Sequence, residues 1–144
     1  MATRDGSGEW HGDLQSGSGT VSVASGLFRD GSFSFASRFE EGTGTNPEEL
    51  IAAAHAGCFS MALSNILAGD GHLPESVSTT AKVHLRFVDD APTIAQIDLV
   101  TEGRVPGIDQ QQFDQYAAQA KEGCPVSRAL AAVEEMTLDA NLVG

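Results

Sequence analysis

The chain carries two cysteines, Cys58 and Cys124. A thiol reacts as its thiolate, and a pKa ordinarily near ~8.5 must be lowered by a cation, a helix N-terminus or hydrogen-bond donors before it works at neutral pH. Cys124 lies in KEGCPVSRAL, between Gly123 and Pro125 at the start of a helical stretch. Free backbone amides and the positive end of a helix dipole favour an anion there. Cys58 lies in the middle of NPEELIAAAHAGCFSMALSNILAG, among backbone groups that a helix has already paired, so it needs a side-chain cation. Arg38 is the candidate, and on position alone Cys124 is the better activated thiol.

The two cysteines are 66 positions apart (124 − 58), which excludes a CxxC redox motif and a local metal-binding knuckle. Contact between them must come from folding. A single cysteine is more often inert packing than chemistry; as the only two thiols, the pair points to a redox couple. His55, three residues before Cys58, could face the same side of a helix and act as a base, although a hydrogen-bonded core histidine is the commoner role. His11, His72 and His84 are scattered, without the paired spacing of a metal site. Ser60 and Ser127 lack the Gly-x-Ser-x-Gly elbow of serine hydrolases. The Gly-rich run within Gln15 to Thr20 precedes no helix and is a weak phosphate cradle.

The elements that must position these residues are legible in outline. Trp10, Leu14, Val21 and Val23 are spaced as in short edge strands, and GSFSFASRF, from Gly31 to Phe39, has the period of two of a half-buried strand, followed by a turn from Glu41 to Thr45. Asn46 as N-cap, Pro47 at the first helical position and Glu49 as the far side of a capping box open a helix that runs to Ala68, with Gly69 as terminator. Apolar residues on all sides of this helix predict a central one, covered on more than one face. Val77 to Val88 and Thr93 to Glu102 alternate as two long strands joined by a short hairpin link. A helix from Asp109 to about Glu122, a second from Cys124 to about Val133, and a strand from Met136 to Leu142 complete the chain. The order predicts an α+β fold, antiparallel sheets packed on a long central helix.

At 144 residues and 41% hydrophobic, residues 1–144 are expected to form one domain with a core that needs no staples. Eight Lys and Arg against twenty Asp and Glu give a net charge of −12, which repels polyanions and makes nucleic acid an unsuitable partner. The longest apolar run, Ile51 to Leu67, is interrupted by His55, Ser60, Ser64 and Asn65, so a core helix is expected and no membrane partner. With no secretory leader and no disulfide framework, the expected setting is a reducing cytoplasm.

NPEELIAAAHAGCFSMAL, preceded by SRFEEGTGT and followed by KEGCPVSRAL, resembles the OsmC/Ohr family of thiol-dependent hydroperoxidases, closer to its OsmC branch. The likeness covers nearly the whole chain. It implies an intertwined homodimer that reduces organic hydroperoxides and, in this branch, hydrogen peroxide, with no cofactor and no metal. Carried over motif by motif, Cys58 is the peroxidatic cysteine, Cys124 the resolving one, Arg38 the guanidinium over the Cys58 sulfur, and Glu48 the carboxylate that holds Arg38 by a bidentate pair. The Cys58 sulfenate would close to a Cys58–Cys124 disulfide, recycled by an external dithiol such as a lipoylated protein. Ten residues of helix separate Glu48 from Cys58, about 15 Å at the helical rise, so the Glu48 that serves a given Cys58 is expected from the partner chain. Phe39, Phe59 and Met61 are candidates to line an alkyl-tail pocket. The alternative is a non-catalytic redox sensor or apolar-ligand-binding dimer on the same scaffold.

Overall fold

The computed structural model describes all 144 residues. Tertiary contacts divide them into two compact units, Met1–Leu50 and Ile51–Gly144.

The first unit is an antiparallel three-stranded sheet, β1 (Gly6–His11), β2 (Ser18–Val23) and β3 (Gly31–Phe33), in the order β1-β2-β3. Trp10 and Phe33 close over β2 with ring centroids 5.3 Å apart. They can do so because the strand residue beneath them is Gly19, where a Cβ would collide with both rings. The expected strand from Gly31 to Phe39 ends at Phe33 and gives way to a short helix, α1 (Phe35–Phe39). Ser34, one of the serines that alternate with Phe33 and Phe35, instead forms a reciprocal capping box with Ser37: Ser34 Oγ accepts from the Ser37 amide, and Ser37 Oγ accepts from the Ser34 amide. Local hydrogen bonding of this kind competes directly with a sheet ladder.

Helix α2 (Pro47–Gly69) opens as expected, with Asn46 Oδ1 accepting from the Glu49 amide at 2.8 Å. The second half of the capping box is absent, since the Glu49 carboxylate accepts from Thr45 Oγ1 instead. The left-handed residue that ends the helix is Gly71, at φ 85°, two positions after the expected Gly69. By length and composition the helix could cross a bilayer, contrary to expectation, and within this chain a single stripe of it is buried rather than the several faces expected of a central helix. Phe59, Leu63 and Leu67 recur every fourth residue, are fully buried, and pack with Leu99, Val105, Phe113, Ala117, Ala120 and Cys124.

That core belongs to the second unit, whose sheet has the order β4-β5-β6. β4 (Ser76–Val88) and β5 (Ala91–Arg104) form a hairpin around Asp89 and Asp90, both at positive φ (50° and 63°), the signature of a two-residue type I′ turn. After β5 come α3 (Gln110–Gly123), capped reciprocally by Asp109 and Gln112, and α4 (Pro125–Ala129), shorter than the expected run to Val133. β6 (Glu135–Leu142) then pairs with β5 in parallel rather than antiparallel. The intervening helices carry the chain back to the starting end of the sheet, which a tight hairpin could not do.

On the opposite sheet face from Ile97 and Leu99, the Asp98 carboxylate accepts from Gln96 Nε2 and Thr137 Oγ1 and meets His84 Nε2, each at 2.7 Å. These hydrogen bonds, Gln96 foremost, hold its pKa down to about 2. A carboxyl depressed by folding stabilises the fold fully above its unfolded value of about 4, and that contribution disappears as pH falls towards the folded value. Acid unfolding of Asp98→Asn is therefore expected to lose part of its pH dependence below about pH 4, with the Asp98 carboxyl titrating near 2 by NMR in the parent. Leu63→Ala, which opens a cavity in the core, is expected to cost about 2–5 kcal/mol in urea unfolding.

Candidate active site

In the first unit, α1 and the start of α2 are tied together around Ser37, which is buried. Ser37 Oγ donates to the Thr45 carbonyl at 2.8 Å, and Asn46 Nδ2 donates to the Ser37 carbonyl at 3.0 Å. This brace places Arg38 on the last turn of α1 against Glu48 in the first turn of α2. Arg38 Nε and Nη2 both donate to Glu48 Oε1, at 3.1 and 2.8 Å, and Nε also reaches Oε2 at 3.3 Å. Glu48 is 6% exposed while the Arg38 side chain keeps 35% of its surface, so the carboxylate is the anchored partner and the cation the presented one. Such a fork holds a guanidinium in one plane and leaves Nη1 for a third party. Arg38 also lies 5.4 Å from the Phe39 ring centre. An apolar cavity of about 420 Å³ has Trp10, Leu14, Phe33, Phe35 and Phe39 among its walls, together with Arg38. Of the three expected pocket residues, Phe39 is on this cavity, Phe59 is in the core, and Met61 is 71% exposed.

In the second unit, folding brings the two cysteines together. The Cys124 thiol donates to Cys58 Sγ at 2.9 Å, with both residues reduced, Cys124 buried and Cys58 partly exposed. Cys124 stands at the N-cap of α4, as expected, with Pro125 at the first helical position. Its sulfur closes no capping hydrogen bond of its own, so the amides of the first turn act on it from longer range. Burial is the largest influence on Cys124 and raises its pKa. The Cys58 contact, the Ser127 and Val126 amides and the Ser127 hydroxyl outweigh burial and bring the thiol below its ordinary value. Burial and the Cys124 contact push Cys58 the other way, against the Val126 amide. The two protons belong to the pair rather than to either residue. Within this unit Cys124 is thus the lowered thiol of the pair, through the Cys58 contact first and the helix amides second, and Cys58 the raised one.

Two residues of this site went unassigned in the sequence. Ser127, three positions after Cys124, was tested there only as a hydrolase nucleophile; its place at the third residue of α4 was the available signal. His55, a candidate base whose commoner role is that of a hydrogen-bonded core histidine, has that second role here: it is fully buried, and its Nε2 lies 2.7 Å from Ser127 Oγ, a pairing the sequence left unassigned.

A family model described as OsmC-like protein matches residues 40–139, and the chain belongs to the OsmC family. It is 50% identical to the peroxiredoxin OsmC of Escherichia coli K12 over 139 residues, 96% of each chain. It is 36% identical to an organic hydroperoxide resistance protein of Xanthomonas axonopodis pv. citri over 104 residues, 67% of each. Among solved structures, the organic hydroperoxide resistance protein OhrB of Bacillus subtilis shares the fold with a TM-score of 0.71 at 23% identity, covering 96% of this chain and 98% of that one.

The sulfurs need approach by less than about 1 Å to bond at the disulfide length of ~2.05 Å. Mild oxidation is expected to remove two hydrogen atoms from the intact mass without forming dimers on non-reducing gels, and Cys58→Ser or Cys124→Ser each to abolish that loss.

Proposed function

We propose that this chain is a two-cysteine thiol peroxidase that reduces organic hydroperoxides, and hydrogen peroxide as well, in a reducing cytoplasmic setting. The observation that carries the reading is the 2.9 Å approach of Cys58 and Cys124 across 66 positions of sequence. In the first step the Cys58 thiolate attacks the distal peroxide oxygen. The S–O bond forms, the O–O bond breaks, and the alkoxide leaves with one proton as the alcohol. In the second step Cys124 attacks the sulfenic sulfur, the disulfide forms, and hydroxide leaves and is protonated to water. An external dithiol then reduces the disulfide by exchange, ending as a disulfide itself.

Arg38 stabilises the Cys58 thiolate and the negative charge that develops on the departing oxygen, with Glu48 holding its plane. The Arg38–Glu48 fork forms within one chain, and the helical spacing of Glu48 and Cys58 supports its delivery to Cys58 of the other subunit in a homodimer. Residues 1–144 act as one OsmC-like domain in that assembly. The cavity beside Phe39 suits an alkyl tail, with the polar peroxide end towards the guanidinium.

Steady-state turnover with cumene hydroperoxide and dihydrolipoamide tests the reading. A sensor oxidises once and stops, whereas repeated consumption per subunit is expected here. Cys58→Ser is expected to abolish consumption, Cys124→Ser to stop after one equivalent under the same dithiol, and Arg38→Ala to lower kcat/KM by about 10²–10³-fold, the usual loss for a single charge-stabilising donor. Mixing Glu48→Ala with Cys58→Ser subunits should recover one working site per heterodimer; no recovery would overturn delivery from the partner.

A further inference from the structure

His55, Phe59, Leu63 and Leu67 form one stripe along α2, and all four are fully buried. Three are core hydrophobes, and the fourth is a titratable ring at a position where an apolar side chain would pack without desolvation cost. The ring uses only one of its nitrogens. His55 Nε2 meets Ser127 Oγ at 2.7 Å, while Nδ1 is buried without any hydrogen-bond partner. Ser127 is itself buried and occupies the third position of the helix whose N-cap is Cys124, and its hydroxyl acts on the Cys124 sulfur. Cys124 in turn donates to Cys58 at 2.9 Å. Ser127 thus links Cys124 and His55, one turn along α4 from the Cys124 cap and hydrogen-bonded to His55.

We propose that Ser127 and His55 form a proton relay that deprotonates Cys124 as it attacks Cys58. As the S–S bond forms, the Cys124 proton passes to Ser127 Oγ while Ser127 gives its own proton to His55 Nε2. In the peroxidase cycle the departing group is hydroxide from the Cys58 sulfenic acid, which takes a proton from solvent to leave as water; when the dithiol reopens the disulfide it releases two protons to solvent, and His55 returns its own to the Cys124 thiolate. Ser127 acts on the Cys124 sulfur from one turn along α4, and His55 acts through Ser127 as a positioning residue and proton acceptor. Burial alone lowers the pKa of His55, so the ring is neutral and receptive at neutral pH. The titratable groups beside it are the two thiols, Cys58 one turn along α2 and Cys124 at the mouth of α4, and no charged side chain contributes to its shift.

The inference rests on the peroxidase reading for its biological step, but its test does not require peroxide. Dithiodipyridine reacts at the partly exposed Cys58, and Cys124 then displaces the second thiopyridone, so closure appears as the slow half of the absorbance change. With the relay, closure in the parent protein varies little between pH 6 and 8 and shows a solvent deuterium isotope effect. In Ser127→Ala, and in His55→Gln, which keeps a partner for Ser127 but no base, closure is expected to slow by at least ~10-fold at pH 6. Both are expected to converge on the parent within about 2-fold at pH 9, where the thiol ionises unaided. The double variant should be no slower than either single one, and Ser127→Thr should restore closure. Equal rates at pH 6, or a deficit that persists undiminished at pH 9 as a displaced helix would give, would overturn the relay. Loss of peroxide turnover with closure intact would instead count against the peroxidase reading alone.

Discussion

Everything chemical in this molecule depends on holding one sulfur in the middle of a long helix within 2.9 Å of another at the mouth of a short one. A mid-helix residue has no free backbone donors, whereas an N-cap residue faces several. The fold therefore surrounds two identical thiols with different fields. Against its burial, the Cys58 contact, the first-turn amides of α4 and the Ser127 hydroxyl lower Cys124, while burial and the Cys124 contact raise Cys58. In the proposed cycle that asymmetry leaves Cys124 ready to attack and makes Cys58 depend on the Arg38 guanidinium.

The core of the second unit supports this constraint directly. Phe59 follows Cys58 and opens the buried run that continues through Leu63 and Leu67, while Ala117 and Ala120 of α3 lead into Cys124 and pack in the same cluster. Each sulfur is thus anchored to a helix whose apolar face is committed to one body of packing. At roughly 1.5–3 kcal/mol for each large buried side chain, rotating either helix to separate the sulfurs would expose more than local strain could return. In the first unit a separate device does comparable work. Ser34, Ser37 and Asn46 join α1 to the start of α2 through short hydrogen bonds, and the Arg38–Glu48 fork is the product.

Much of this was legible in the chain. The Asn46–Pro47 start, the long apolar helix, the hairpin and the Cys-Pro helix mouth all follow from local chemistry that tertiary structure left in place. The errors occurred where two local signals competed. Ser32 and Ser34 alternate with Phe33 and Phe35 as a strand would, but Ser34 also pairs with Ser37 in a capping box whose two hydrogen bonds close within four residues, and a helix begins there instead. The direction of β6 could not be read from its own residues, since the same alternating pattern serves a parallel or an antiparallel neighbour.

By itself the sequence determined which residues have suitable chemistry and which helices carry them, because caps, periodicity and thiol surroundings are encoded within a turn or two of backbone. Only the tertiary structure decided that Cys58 and Cys124 meet, that Arg38 is gripped by Glu48 of its own chain, and that the proton of a buried Ser127 has His55 as its neighbour. Hydrogen bonds and van der Waals contacts act over a few ångströms, and the groups they join here come from elements whose separation in sequence carries no information about their distance in space.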